Sequence, residues 1–217
     1  MVRKENGIVY QTHPRTKSSY EYPDKVRHED FFLDAHFIGA GWKAMPADPS
    51  SLRQGVRALK LLDDMNNRGL PKRVLAETDM FYIDHTRELY SHMNANYVRI
   101  PELPDFDHYG RLLDSVRRGD YFVTMGEVLL PEVSISAADA SAVTAKVKAQ
   151  WTFPLAFGEI VWGNGSETFT QTFALDQTRP FGSAVFEWKT NAKDWKWARI
   201  AVWDIAGNGA FVNPIRR

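Results

Sequence analysis

The texture of the chain changes near residue 131, and that change limits the folds open to it. Upstream, strand-like and helix-like segments alternate; downstream, short strand-like runs are separated only by turn chemistry. Across 52–68, Leu52, Val56, Leu59, Leu62 and Met65 recur at spacings of three and four, the apolar stripe of a helix. Ser50 or Ser51 can cap its start, and Gly69 followed by Pro71 ends it. Residues 74–79 read as a buried strand that turns acidic at its end, in Glu77-Thr78-Asp79. A second helix is predicted over 107–118, with Leu112, Leu113 and Val116 inward and Gly119 as its stop, and 121–124 resumes a strand. Strand and helix alternating at these lengths predict βαβ units and a mainly parallel sheet or barrel.

From Val133 onward the segments 142–153, 158–162, 168–175, 183–190 and 195–203 read as strands. Gly163-Asn164-Gly165, Thr178-Arg179-Pro180 and Asn191-Ala192-Lys193-Asp194 supply the turns between them. Alternation is clearest in the last long strand. Trp195, Trp197, Arg199, Ala201 and Trp203 share one face, and Lys196, Ala198, Ile200 and Val202 the other. These strands predict a small β-sandwich of immunoglobulin-like shape. The expected organisation is an α/β barrel segment at 1–130 followed by a β-sandwich domain at 131–217, packed directly on one another.

Charge narrows the function classes. The 27 basic and 27 acidic side chains balance, so no global footprint for nucleic acid or an anionic membrane is visible. With no cysteine, disulfides and thiolate ligands are excluded, which leaves His, Asp and Glu as metal-binding side chains. Met1-Val2-Arg3-Lys4-Glu5-Asn6 has no apolar stretch behind its charges, so no signal peptide is recognisable. No window approaches the length of a membrane span.

Gly7-Ile8-Val9-Tyr10-Gln11-Thr12-His13-Pro14-Arg15 reads as a buried strand running into a His-Pro turn. A strand that delivers a histidine to the loop at its carboxyl end is how α/β barrels build metal and catalytic sites. Pro14 biases His13 towards extended backbone. A barrel needs neighbours on both sides of this strand, so the sequence predicts the back part of a larger enzyme, with an open strand edge that invites a second copy or a partner chain. Asp79, at the end of the next convincing strand, can reach the same rim, and a carboxylate there suits a divalent ion or a general base. Asp84-His85 adds a second imidazole with a carboxylate beside it. His36, inside an apolar segment, is either a ligand or a satisfied core histidine; His92 is weaker, and His28 and His108 lie in charged surroundings. The alternative for each of these groups is structural, as surface, cap or core.

Other candidates fall away. Asp63-Asp64-Met65-Asn66-Asn67 lacks EF-hand spacing and ends a helix. Gly39-Ala40-Gly41 lacks the third glycine of a dinucleotide loop, and no Gly-x-Ser-x-Gly elbow is present. Trp151, Trp162, Trp188, Trp195, Trp197 and Trp203 crowd the C-terminal part. They form either a sugar-binding platform or, more commonly for such large rings, a core.

In their order, several blocks resemble the CehA/McbA family of PHP-type metallohydrolases. They are Gln11-Thr12-His13-Pro14-Arg15, residues 39–48, 62–67 and 88–94, the helix-to-strand block 117–127, and the final 203–214. The resemblance implies the C-terminal portion of a PHP-like distorted (β/α)7 barrel followed by the β domain. It implies zinc, manganese or iron at the strand ends, and hydrolysis of a small phosphoester or related ester by metal-bound hydroxide. On that resemblance the ligand candidates are His13, Asp79 and His85, to which the sequence setting of His36 adds a fourth. The family's usual Asp-x-His is not intact, because Phe81 stands two residues after Asp79. The competing expectation is a non-catalytic glycan- or protein-binding sandwich carrying a barrel remnant.

Overall fold

The protein is described from a computed structural model, covering residues 2–15, 21–43, 50–78, 94–139 and 141–217. Three sheets organise it. A parallel sheet of three strands runs β1 (Val9–Gln11), β2 (Phe37–Trp42), β3 (Arg73–Ala76), in that order. The short α1 (Asp30–Leu33) precedes β2, and α2 (Val56–Asn67) is the crossover from β2 to β3. Next come β4 (Ala95–Val98), α3 (Gly110–Arg118) and β5 (Tyr121–Thr124). The strands β6 (Val128–Asp139), β7 (Ala142–Trp151), β8 (Leu155–Gly163), β9 (Thr168–Ala174), β10 (Gly182–Asn191), β11 (Trp197–Asp204), β12 (Gly209–Val212) and β13 (Ile215–Arg216) complete the chain.

A seven-stranded sheet, β4-β5-β12-β11-β8-β9 with β13 beside β11, is the centre of the molecule. One of its faces meets the antiparallel sheet β10-β7-β6. There Ala198, Ile200 and Val202 pack with Val143, Ala145, Val147 and Ile160. The other face meets α2 and the parallel sheet through Tyr121, Val123, Ala201, Trp203 and Phe211 against Trp42, Leu59, Leu62 and Val74. A third cluster, Phe32, Phe37, Ala40, Leu61 and Met65, seals α1 and α2 over β2. Every residue of β11 is buried, as expected of a strand covered on both faces. Among the described residues no helix is long and apolar enough to cross a membrane.

The barrel expected of residues 1–130 does not form among the described residues, and the fold is mostly β rather than an α/β barrel joined to an all-β domain. β5 lies antiparallel between β4 and β12, in the same sheet as β11. The physical reason is visible at the edge of β3, where a further parallel strand would have to dock. The Val74 N–H donates to Asn213 Oδ1 at 2.8 Å, and Tyr121 Oη donates to the Val74 carbonyl at 2.8 Å. Asn96 brackets Ala76, accepting its N–H at 2.8 Å and donating to its carbonyl at 3.1 Å. Side chains from β4, β5 and the end of β12 therefore satisfy the backbone groups that a next barrel strand would use.

Lys72, between α2 and β3, is almost fully buried. Its Nζ donates to the Phe37 carbonyl at 2.6 Å and the Asp34 carbonyl at 3.2 Å, and lies over the rings of Phe32 and Phe37. Burial pushes its pKa down to about 8, with the Asp34 charge opposing. Between about 8 and its ordinary value of 10.5 the unfolded chain keeps a proton that the folded chain has released. Stability contributed by this residue therefore rises with pH across that window. Urea titrations at about pH 7.5 and about pH 10.5 are expected to show wild type gaining on the order of 2–3 kcal/mol relative to Lys72→Met. Parallel pH profiles for the two proteins would remove Lys72 as the cause.

Candidate functional site at the carboxyl edge of the parallel sheet

Because β1, β2 and β3 run parallel, their carboxyl ends open onto one edge, the position where open α/β sheets hold ligands. The Glu77 N–H donates to the Trp42 carbonyl at 3.0 Å and carries the ladder one residue past β3. The Glu77 side chain folds back across β2 over Gly41, where a Cβ would stand only 2.1 Å from its Oε2. A glycine at 41 is what makes room for this carboxylate. His13 arrives from β1 with φ of 48°, in the left-handed region, rather than the extended backbone expected of a residue before proline. Such an outlier in a non-glycine residue is a feature of constrained functional loops.

The two side chains meet. The His13 N–H donates to Glu77 Oε1 at 3.3 Å, and Nδ1 stands 3.7 Å from the same oxygen. Burial, and then the Glu77 charge, raises the Tyr10 phenol above its ordinary value. Asn94 Nδ2 donates to the Glu77 carbonyl at 3.0 Å. The loop is anchored just beyond His13: Arg15 holds Asp24 through two bonds of 2.9 Å and Asp64 of α2 through one of 2.8 Å. The Asp24 carboxylate, against opposing burial and with help from Asp64, holds the Arg15 guanidinium above its usual range.

His36 is not brought to this edge. Its carbonyl accepts the Val9 N–H at 2.8 Å, which places it beside the start of β1, the length of that strand away from His13. There its ring and its backbone N–H both engage Asp34 Oδ1 at 2.8 Å. These two bonds, together with Arg3, hold the Asp34 carboxyl down to about 2. Asp79, His85 and His92 lie outside the described residues. Among the described residues no group of three or more metal-ligating side chains converges.

Sequence reasoning placed the acid of this edge at Asp79, which lies outside the described residues; among those described, the carboxylate beside His13 is Glu77. The small residues of Gly39-Ala40-Gly41 were the available signal, since a side chain can cross a strand only where that strand lacks one. The oxygen-rich 63–67 segment serves packing. Asp63 binds Arg199, Asp64 binds Arg15, Asn66 donates to the Leu62 and Lys72 carbonyls, and Asn67 joins Thr168 and Trp197 Nε1. The six C-terminal tryptophans are all buried, none more than 8% exposed, so they form core and no sugar platform.

These donors fit a divalent metal only in part. Bonds of about 2.0–2.2 Å from each would let His13 Nδ1 and a Glu77 oxygen share one ion across their 3.7 Å gap. Zinc sites take three or four protein donors, and the described residues supply two, so no chemical step follows from them alone. Compared with known families, curated proteins and solved structures, the chain matches none.

Proposed function

We propose that the chain contributes one wall of a metal-dependent hydrolytic site acting on phosphoester or related ester bonds. The observation that carries this reading is the His13–Glu77 pair on the carboxyl edge of the parallel sheet, with His13 held in left-handed backbone. The resemblance of the Gln11–Arg15 block to the late histidine motif of CehA/McbA hydrolases supports it. In this reading His13 and Glu77 are donors to a zinc, manganese or iron ion, which when bound supplies a water of lowered pKa. Remaining donors come from Asp79 and His85 or from a second chain. The outer edge of β1, unpaired among the described residues, is where a second chain would add.

Metal content of chelator-free protein, measured by plasma mass spectrometry, tests the reading. Near-stoichiometric zinc, manganese or iron is expected in wild type and none in His13→Ala. Glu77→Gln, which replaces a charged donor with a neutral amide, is expected to weaken binding by at least the roughly 10–100-fold that loss of an outer partner costs. A wild type that stays metal-free after reloading, with unchanged folding, would refute it.

A further inference from the structure

The seven-stranded sheet is wider than the sheet that faces it. Beyond β6, whose outer edge is unpaired among the described residues, this face of the seven-stranded sheet is only partly covered, from the half-buried Phe122 and Val212 out to the exposed Tyr97. A groove of about 340 Å³ results, lined by Tyr97, Arg99, Phe122, Val133, Ile135 and Val212. That volume is at the small end of the range for ligand sites, about 300–1,000 Å³, and suits one or two rings.

Two features give the groove a chemistry. Tyr97 and Phe122 are cross-strand partners, and their rings stack with centroids 4.8 Å apart and planes within 6°. Tyr97 is still 49% exposed, so a flat aromatic surface remains available beside the groove. Arg99 follows two residues later, a step of about 6.6–6.8 Å along a strand that returns to the same face. It reaches across to β6, where Nη2 donates to the Pro131 carbonyl at 3.3 Å. Nearby carboxylates are engaged elsewhere: Asp120 with Arg118 at 2.7 Å and Glu132 with Lys148 at 2.8 Å. Arg99 makes no direct ion pair among the described residues, although its charge, after that of Lys148, helps hold the Glu132 carboxyl below its usual range, and it keeps guanidinium N–H groups beyond the one spent on Pro131.

We propose that this groove binds a six-membered ring bearing a carboxylate, the ring lying on Tyr97 and the carboxylate on Arg99. A guanidinium matches a carboxylate in a two-pronged geometry, and a tyrosine face takes the body of a sugar or aromatic ring. A single guanidinium, part of whose charge already acts on Glu132, suits a monoanion better than a phosphate dianion. The shared chemistry has two sources, acidic sugars and aromatic acids. The groove does not depend on the hydrolytic reading: it opens at the far end of β4 from Asn94, which touches Glu77.

Titration of labelled full-length protein with glucuronate, benzoate and glucose, followed through backbone amide shifts, tests it. One or both acids are expected to move the amides of 97–99 and 120–122 with a dissociation constant on the order of 1 mM or tighter, and glucose to leave them in place. Glucuronate alone assigns the site to acidic sugars, benzoate alone to aromatic acids. Arg99→Gln and Tyr97→Ala, each at an exposed position, are expected to retain the wild-type melting profile and to weaken binding at least about tenfold. No shift with either acid, equal binding of glucose, or undiminished binding by a folded Arg99→Gln protein would overturn the proposal.

Discussion

Replacing Asp63 with alanine is expected to destabilise the protein by about 3–5 kcal/mol, the cost of leaving a buried charge without its partner. Arg199 stands in the middle of β11 with its side chain only 4% exposed. Its Nε and Nη2 donate to the two Asp63 carboxylate oxygens at 2.7 and 2.8 Å. The third nitrogen, Nη1, makes no hydrogen bond among the described residues and has Glu159 Oε1 only at 3.8 Å. That glutamate is already committed, accepting from Arg53 Nε at 2.8 Å and Trp203 Nε1 at 3.2 Å. Burial works to discharge Arg199, and Asp63, followed by Glu159, outweighs it and holds the guanidinium above its ordinary range. Arginine has no neutral form to retreat to, so the alanine variant must either flood the α2–β11 interface or carry a stranded cation. Urea unfolding should show the loss as a lower midpoint at unchanged slope. The double variant Asp63→Leu with Arg199→Met should recover at least about 2 kcal/mol over Asp63→Ala, because an apolar pair of similar volume removes the desolvation cost. A loss below about 1 kcal/mol in Asp63→Ala would show that the ion pair does not hold α2 on the sheet.

Much of the secondary structure was legible because periodicity reports burial directly. From Ala198 the faces of β11 are those the alternation assigned, with Arg199, Ala201 and Trp203 towards α2 and Ala198, Ile200 and Val202 towards β7. Trp195, expected on the Trp203 face, precedes β11 and packs with Ala198 and Ile200 instead. Helix α2 was legible as a helix but not in its extent or its faces. It begins at Val56, and Leu52 and Val56 are exposed, while Leu61, outside the expected stripe, is fully buried. A helix packed between two cores buries more than one stripe, and a single-stripe reading misses the second. Strand pairing was not legible. Four residues such as Tyr121–Thr124 fit a parallel or an antiparallel ladder equally well, and Asn96, Asn213 and Tyr121 decide the outcome from positions distant in sequence. β6 was obscured at its start, where Pro131 lies in a register shift between Leu129 and Glu132.

The site followed the same division. His13 was legible because a histidine just after a strand is delivered to a sheet edge whatever the larger fold. Its left-handed backbone was not, since that depends on the clamp of Arg15 to Asp24 and Asp64. Glu77 was named within its acidic group, but its partner could be found only once β2 lay beside β3 with Gly41 beneath the carboxylate. His36 carried the same residue type and a plausible apolar setting. Its position before β2, rather than after it, sends it to the opposite end of the sheet.

Trp203→Ala is expected to cost about 3–5 kcal/mol, comparable to the loss of Asp63 but by a different route. The indole has no exposed surface and packs with Trp42 and Phe211 on the α2 side of the central sheet. Its cross-strand partner is Gly209, and the ring lies so close to that glycine that a Cβ there would stand 2.3 Å from Cε3. Gly209→Ala alone is therefore expected to cost about 1–3 kcal/mol by forcing β11 and β12 or the ring apart. In Trp203→Ala that conflict disappears, and the added methyl occupies part of the cavity left by the indole. The double variant should accordingly lie at least about 1 kcal/mol below the sum of the two single losses, a coupling that denaturant titrations of all four proteins would resolve. Trp203→Phe should keep the ring contact and cost less than the alanine change, while still losing the bond to Glu159. Strict additivity across the cycle would mean that Gly209 is not small on account of Trp203. The close approach of β12 to β11 would then need another cause than the ring lying between them and α2.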